Sequence, residues 1–140
     1  MQKQNEPQAL ASEEQVHELA LLFIRMSGAI HDALRELAGG EPKNAAPVYA
    51  LLTEEYALRS RAHMLMIEPS RFARPGLETT QREMLDTLEA IYVKLKSACT
   101  LDELSEMIMG VMLFANSTAS RKNHIATFLL NDLKKTDCRT

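Results

Sequence analysis

The stretch that most restricts this chain is residues 104–113, LSEMIMGVML, entered through Thr100-Leu101-Asp102-Glu103. Thr100 followed three residues later by Glu103 is a capping box, which supplies acceptors for otherwise orphaned N–H groups at a helix start. Leu104, Met107, Ile108, Val111 and Ala115 then recur at three- and four-residue spacing, so they share one apolar helix face. Met109, Met112, Leu113 and Phe114 lie off that face and are apolar too. A helix that is oily on more than one side belongs at the centre of a fold or carries a partner surface. Met107, Met109, Met112, Leu113 and Phe114 are therefore the expected partner or dimer surface; thioethers re-pack readily around varied partners. The apolar run is only about half the length a membrane-spanning helix needs.

The rest of the chain is periodic in the same way. Ser12 and Gln15 form a second capping box, followed by Val16, Leu19, Phe23, Met26, Ile30, Leu34 and Leu37 on one broad face. Gly39-Gly40 and Pro42 stop that helix. Gly28 inside it costs about 1 kcal/mol against Ala, which close packing against a neighbouring helix would explain. Asn44 or Ala46 caps the next helix, with Pro47 in its first turn. Val48, Leu51, Leu52, Tyr56, Leu58, Ala62 and Leu65 form its expected inner surface, with Glu54, Glu55, Arg59 and Arg61 mostly outside. That helix ends before Pro69, and residues 69–78 form a loop with a Pro75-Gly76 turn, pinned by Phe72. Thr79 or Thr80 opens a third helix, in which Met84, Leu85, Leu88, Ile91, Tyr92 and Leu95 keep helical phase up to Ala98 and Cys99. From Thr100 the phase continues to Leu133 across the weak helix formers of residues 116–120, so this region is either one helix or two.

Amphipathic helices with short connections describe an all-α protein, an antiparallel bundle of four to five helices. The expected domain spans residues 12–135, with a flexible tail over 1–11 and a frayed end over 136–140. Several apolar faces are wider than a monomeric bundle requires, and a homodimer is the economical way to cover the excess. With a net charge of −3 there is no global basic field to attract nucleic acid or an anionic membrane. The two cysteines, without CxxC and without a secretion signal, read as free thiols in a cytoplasmic protein.

No nucleophile elbow, phosphate loop, HExxH or Cys–His ligand spacing is present, so no catalytic residue, cofactor or metal site is assigned. Glu14 and His17 have the spacing of a di-metal bundle motif, but the second such pair is missing. The leading functional reading is a non-catalytic interaction module (adaptor, regulator or small chaperone-like binder) with a protein partner. The alternative uses Arg59, Arg61, Arg71 and Arg74 as an anion-binding patch, with Phe72 as a stacking group for single-stranded nucleic acid. Arg59 and His63 within that group resemble the Arg-then-His spacing of HEPN-type helical ribonucleases. The resemblance covers five residues, with a gap shorter than is usual in that family, and it implies RNA as substrate.

Overall fold

The first helix begins where its capping box places it. Ser12 is extended; its hydroxyl accepts the Gln15 N–H at 3.2 Å, and the Gln15 side chain accepts the Ser12 N–H at 2.9 Å. The structure, a computed structural model, describes residues 7–39, 45–74, 77–120 and 123–138, with backbone only for 120 and 136–138. Among these residues there are six helices and no strand. Helix α1, Glu13–Ala38, ends at Gly39, whose φ of 55° lies in the left-handed region that a side chain would disfavour. The Gly40 and Pro42 signals, the Asn44 cap and the Pro75-Gly76 turn lie outside the described residues.

Helix α2, Ala45–Ile67, runs antiparallel to α1: Ser27 meets Glu55, while Leu34 and Ala38 share a groove with Val48 and Leu52. Next comes α3, Pro69–Phe72, a single turn inside the expected loop, with Phe72 buried as its anchor. It returns the chain to the start of α1. Helix α4, Gln81–Lys96, capped by Thr80, therefore lies beside α1 in the same direction. Gln81 bonds to Gln15 and Glu18 near its start, and Glu89 pairs with Arg25 at 2.6 Å further along. That hydrogen bond holds the Arg25 guanidinium pKa above its ordinary value, and the same group sits 4.6 Å from the Tyr92 ring centre. Each long helix so far thus runs opposite to the one before it, and α4 packs mainly on α1.

Helix α5, Leu101–Ser120, and α6, Asn123–Cys138, pack on each other, with Gly110 against Leu133, so they are two helices; residues 121–122 lie outside the described set. The weak formers do not break α5. Ser117 and Thr118 donate their hydroxyl protons to the carbonyls of Phe114 and Ala115, both at 2.6 Å, and stay helical. At the other end Thr100 Oγ1 accepts the Glu103 N–H at 3.1 Å, but the Glu103 carboxylate reaches Cys99 N–H rather than Thr100. Helix α6 continues past residue 135, where a frayed end was expected. No described helix is long and apolar enough to cross a membrane.

The tail expected over residues 1–11 is not loose from Pro7 onward. Ala9 N–H donates to Thr79 O at 2.9 Å, Gln81 N–H to Pro7 O at 3.0 Å, and Arg74 N–H to Leu10 O at 2.7 Å. Leu10 is buried, and its N–H donates to Gln81 Oε1 at 3.0 Å. Two apolar residues, Ala9 and Leu10, are too few to show a period, so only the tertiary pairing reveals this strap.

Gly28 is exposed, and a Cβ placed there would meet nothing within 4 Å, so the close packing expected at this glycine is absent. It occurs at Gly110 instead, where a Cβ would come to 2.9 Å from Leu133 Cδ2. Gly28→Ala is therefore expected to stabilise the fold by about 0.5–1 kcal/mol through helix propensity. Gly110→Ala should forfeit that gain by displacing buried Leu133. Chemical denaturation of the two variants beside the parent checks both.

Candidate interaction surface

The α5 residues expected to form one partner surface are divided by the fold. Phe114 is fully buried against Phe23, Met112 is buried too, and Met107 is half-buried. Only Met109, 62% exposed, and Leu113, 50% exposed, face outward. The reason is that α5 packs against α1, α2 and α6 together, so its wide apolar circumference is spent on neighbours. Of the two roles open to such a helix, α5 takes the central one.

Helix α2 carries the uncovered face instead. Its inward stripe is Leu51, Glu55, Leu58, Ala62 and Leu65. The expected inner surface had Tyr56 in the place that Glu55 takes, and this is corrected: Tyr56 lies one position, about 100°, further round the helix. Tyr49, Thr53, Tyr56, Ser60, His63 and Ile67 repeat at alternating four- and three-residue steps and are all exposed, Tyr49 to 72%, Tyr56 to 63% and Ile67 to 78%. Met64 and Ala57 flank the same stripe, both exposed.

The charged side chains of α2 that pair with neighbouring helices lie off this stripe. Glu55, although 4% exposed, accepts from Arg59 at 2.7 Å and from the Ser27 hydroxyl at 3.0 Å, with His31 Nδ1 at 3.4 Å. A buried carboxylate with this many donors fixes the register of α1 against α2. The Ser27 hydroxyl is directed to the Glu55 carboxylate and to the Glu55 carbonyl. Arg61 reaches across to Asn116 Oδ1 of α5 at 3.2 Å.

The four arginines of the expected anion patch have different employments. Arg59 is held by Glu55 and Arg61 by Asn116. Arg71, on exposed α3, stands 3.9 Å from Glu68 and 5.8 Å from the Phe72 ring centre. Arg74 is buried, which removes it from any surface: its guanidinium donates to the carbonyls of Phe72 and Thr118. The expected stacking group, Phe72, is buried as well. His63 is exposed on the outward stripe, while the Arg59 guanidinium that precedes it is engaged by Glu55.

Among the described residues no group of three or more His, Cys, Asp or Glu side chains is placed to hold a metal ion. The outward stripe of α2 was hidden in the sequence by the apolar residues on its opposite side. Its signal is the spacing of Tyr49, Tyr56 and Ile67 together with the lack of Asp, Glu, Lys and Arg between them in phase. Compared with protein-family models, with curated proteins and with solved structures, the chain shows no match.

Proposed function

We propose that this chain is a non-catalytic protein-interaction module of the cytoplasm, an adaptor, regulator or small chaperone-like binder, that recognises its partner through the outward face of α2. The observation that carries this reading is the stripe from Tyr49 to Ile67: six exposed positions, three of them large and apolar-bodied, without a carboxylate, ammonium or guanidinium. A quarter of the chain is charged, so six solvated helix positions would ordinarily hold one or two such groups. Loss of charge with retention of aromatics marks the buried centre of protein interfaces. Exposed Met64 beside the stripe, and Met109 and Leu113 on α5, add apolar area outside it.

Tyrosines in such settings act as anchors whose loss costs about 2 kcal/mol or more, roughly thirtyfold in affinity. The test is cross-linking and capture from the native cell extract with the parent protein and with Tyr56→Glu/Met64→Glu. The parent is expected to retain a defined partner set that the variant loses, while circular dichroism shows the helices intact. An identical captured set from both proteins would overturn the reading.

A further inference from the structure

We infer that the occupant of the α2 face is the α2 face of a second copy, packed antiparallel about a two-fold axis beside Leu58. This rests on α2 being an interaction surface, and it adds the partner and the register.

The first argument is electrostatic. The chain carries a net charge of −3, so copies repel on average, and they meet most easily through a face without carboxylate, ammonium or guanidinium groups. A partner of opposite charge would find nothing on this stripe to steer it. Self-association needs no such steering, because an uncharged face is its own electrostatic complement.

The second argument is shape. Leu58 stands midway between Tyr49 and Ile67, and an axis beside it sets residues equidistant from it against each other. Tyr56 of one copy then meets Ser60 of the other, a large ring opposite a small hydroxyl, and the exposed methyl of Ala57 lies next to them. Tyr49 meets Ile67, an aromatic body against an aliphatic one, and Thr53 meets His63. Each large side chain of the central pair has a small one opposite, and this happens twice because the axis repeats it. A parallel pairing would set Tyr56 against Tyr56 and leave Ser60 facing Ser60, a bulge followed by a gap. The four–three spacing of the stripe is the repeat that keeps two helices in contact along their length.

Eighteen residue steps at 1.5 Å give about 27 Å of helix in contact. A helix pair of that length covers on the order of 1,000 Å² in total, the lower limit for a specific interface, so the pair is a readily reversible one.

The register is tested by disulfide trapping in a background carrying Cys99→Ser and Cys138→Ser. Thr53→Cys and His63→Cys proteins, mixed at high concentration and mildly oxidised, are expected to give a covalent dimer containing one chain of each. Either protein alone should remain uncross-linked, because its two thiols would be about 15 Å apart along the helices, far outside disulfide reach. Light scattering of the unmodified protein at the same concentration should read two copies, and Tyr56→Glu should return it to one. Homodisulfides from each protein alone would overturn the antiparallel register. A single-copy mass for the unmodified protein would overturn the self-pairing; if Tyr56→Glu/Met64→Glu still abolishes capture of another protein, the interaction surface itself stands.

Discussion

Phe114→Ala is expected to destabilise the fold by about 3–5 kcal/mol, the usual cost of removing a fully buried ring. In a chain of this size that lowers Tm by roughly 10 °C or more. Phe114 has no exposed surface, and its ring meets Phe23 edge-on, with centroids 6.4 Å apart and planes at 72°. That geometry adds about 0.5–1.5 kcal/mol beyond area burial. Phe23 lies in the middle of α1 and Phe114 toward the end of α5, so the pair joins the two helices on which the others pack. Phe128 is 68% exposed, and Phe128→Ala is expected to change stability by less than about 0.5 kcal/mol. Thermal unfolding of both variants separates two roles for Phe114. An outward partner residue would leave Tm untouched when truncated; a core residue cannot. A Phe114→Ala protein melting within 2 °C of the parent would remove Phe114 from the core.

The sequence shows which residues are in helical phase far better than it shows what covers them. Ser12 with Gln15, Thr80 before Gln81 and Gly39 after Ala38 are local chemistry, and each fixes a helix end near where the residues place it. Phase alone leaves two oily faces of one helix equivalent. On α5 the second face is divided, Met112 and Phe114 being buried and Met109 and Leu113 exposed; on α2 the outward face from Tyr49 to Ile67 is left bare. No rule of spacing distinguishes these cases before it is known which helices pack side by side. Charged residues mislead for a related reason. Glu55 was placed on the solvent side by its charge, yet Ser27 and Arg59 satisfy it inside, and Arg59 is an ordinary i,i+4 partner whose role depends on where Glu55 points. The strap at residues 7–10 is held mostly by backbone hydrogen bonds, which have no side-chain signature, together with the Gln81 side chain 71 residues away.

Arg74 shows what a buried cation does when it serves no surface. The carbonyls in the last turn of a helix stand at the negative end of its dipole. Arg74 brings its guanidinium to one of them, Thr118 O, while its Nε–H donates to Phe72 O at 3.2 Å. Its backbone N–H, donating to Leu10 O, ties the same point to the N-terminal strap. Hydrogen bonds from a charged donor contribute about 1.5–3 kcal/mol each, and a buried carbonyl left without a donor costs about 1–3 kcal/mol. Arg74→Met fills a similar volume without the donors, so about 2–4 kcal/mol should be lost, with faster hydrogen exchange at the end of α5. Arg74→Lys keeps the charge but not the planar fork, so it should recover only part of that loss. Arg71→Ala, removing an exposed side chain 3.9 Å from Glu68, is expected to be nearly neutral. The ordering distinguishes an internal helix cap from an anion patch. In a patch, Arg71 and Arg74 would act alike, and their removal would leave the melting temperature alone while weakening salt-sensitive binding to nucleic acid. In a cap, Arg74 alone governs stability, and the damage spreads from the end of α5 to the strap that shares its backbone.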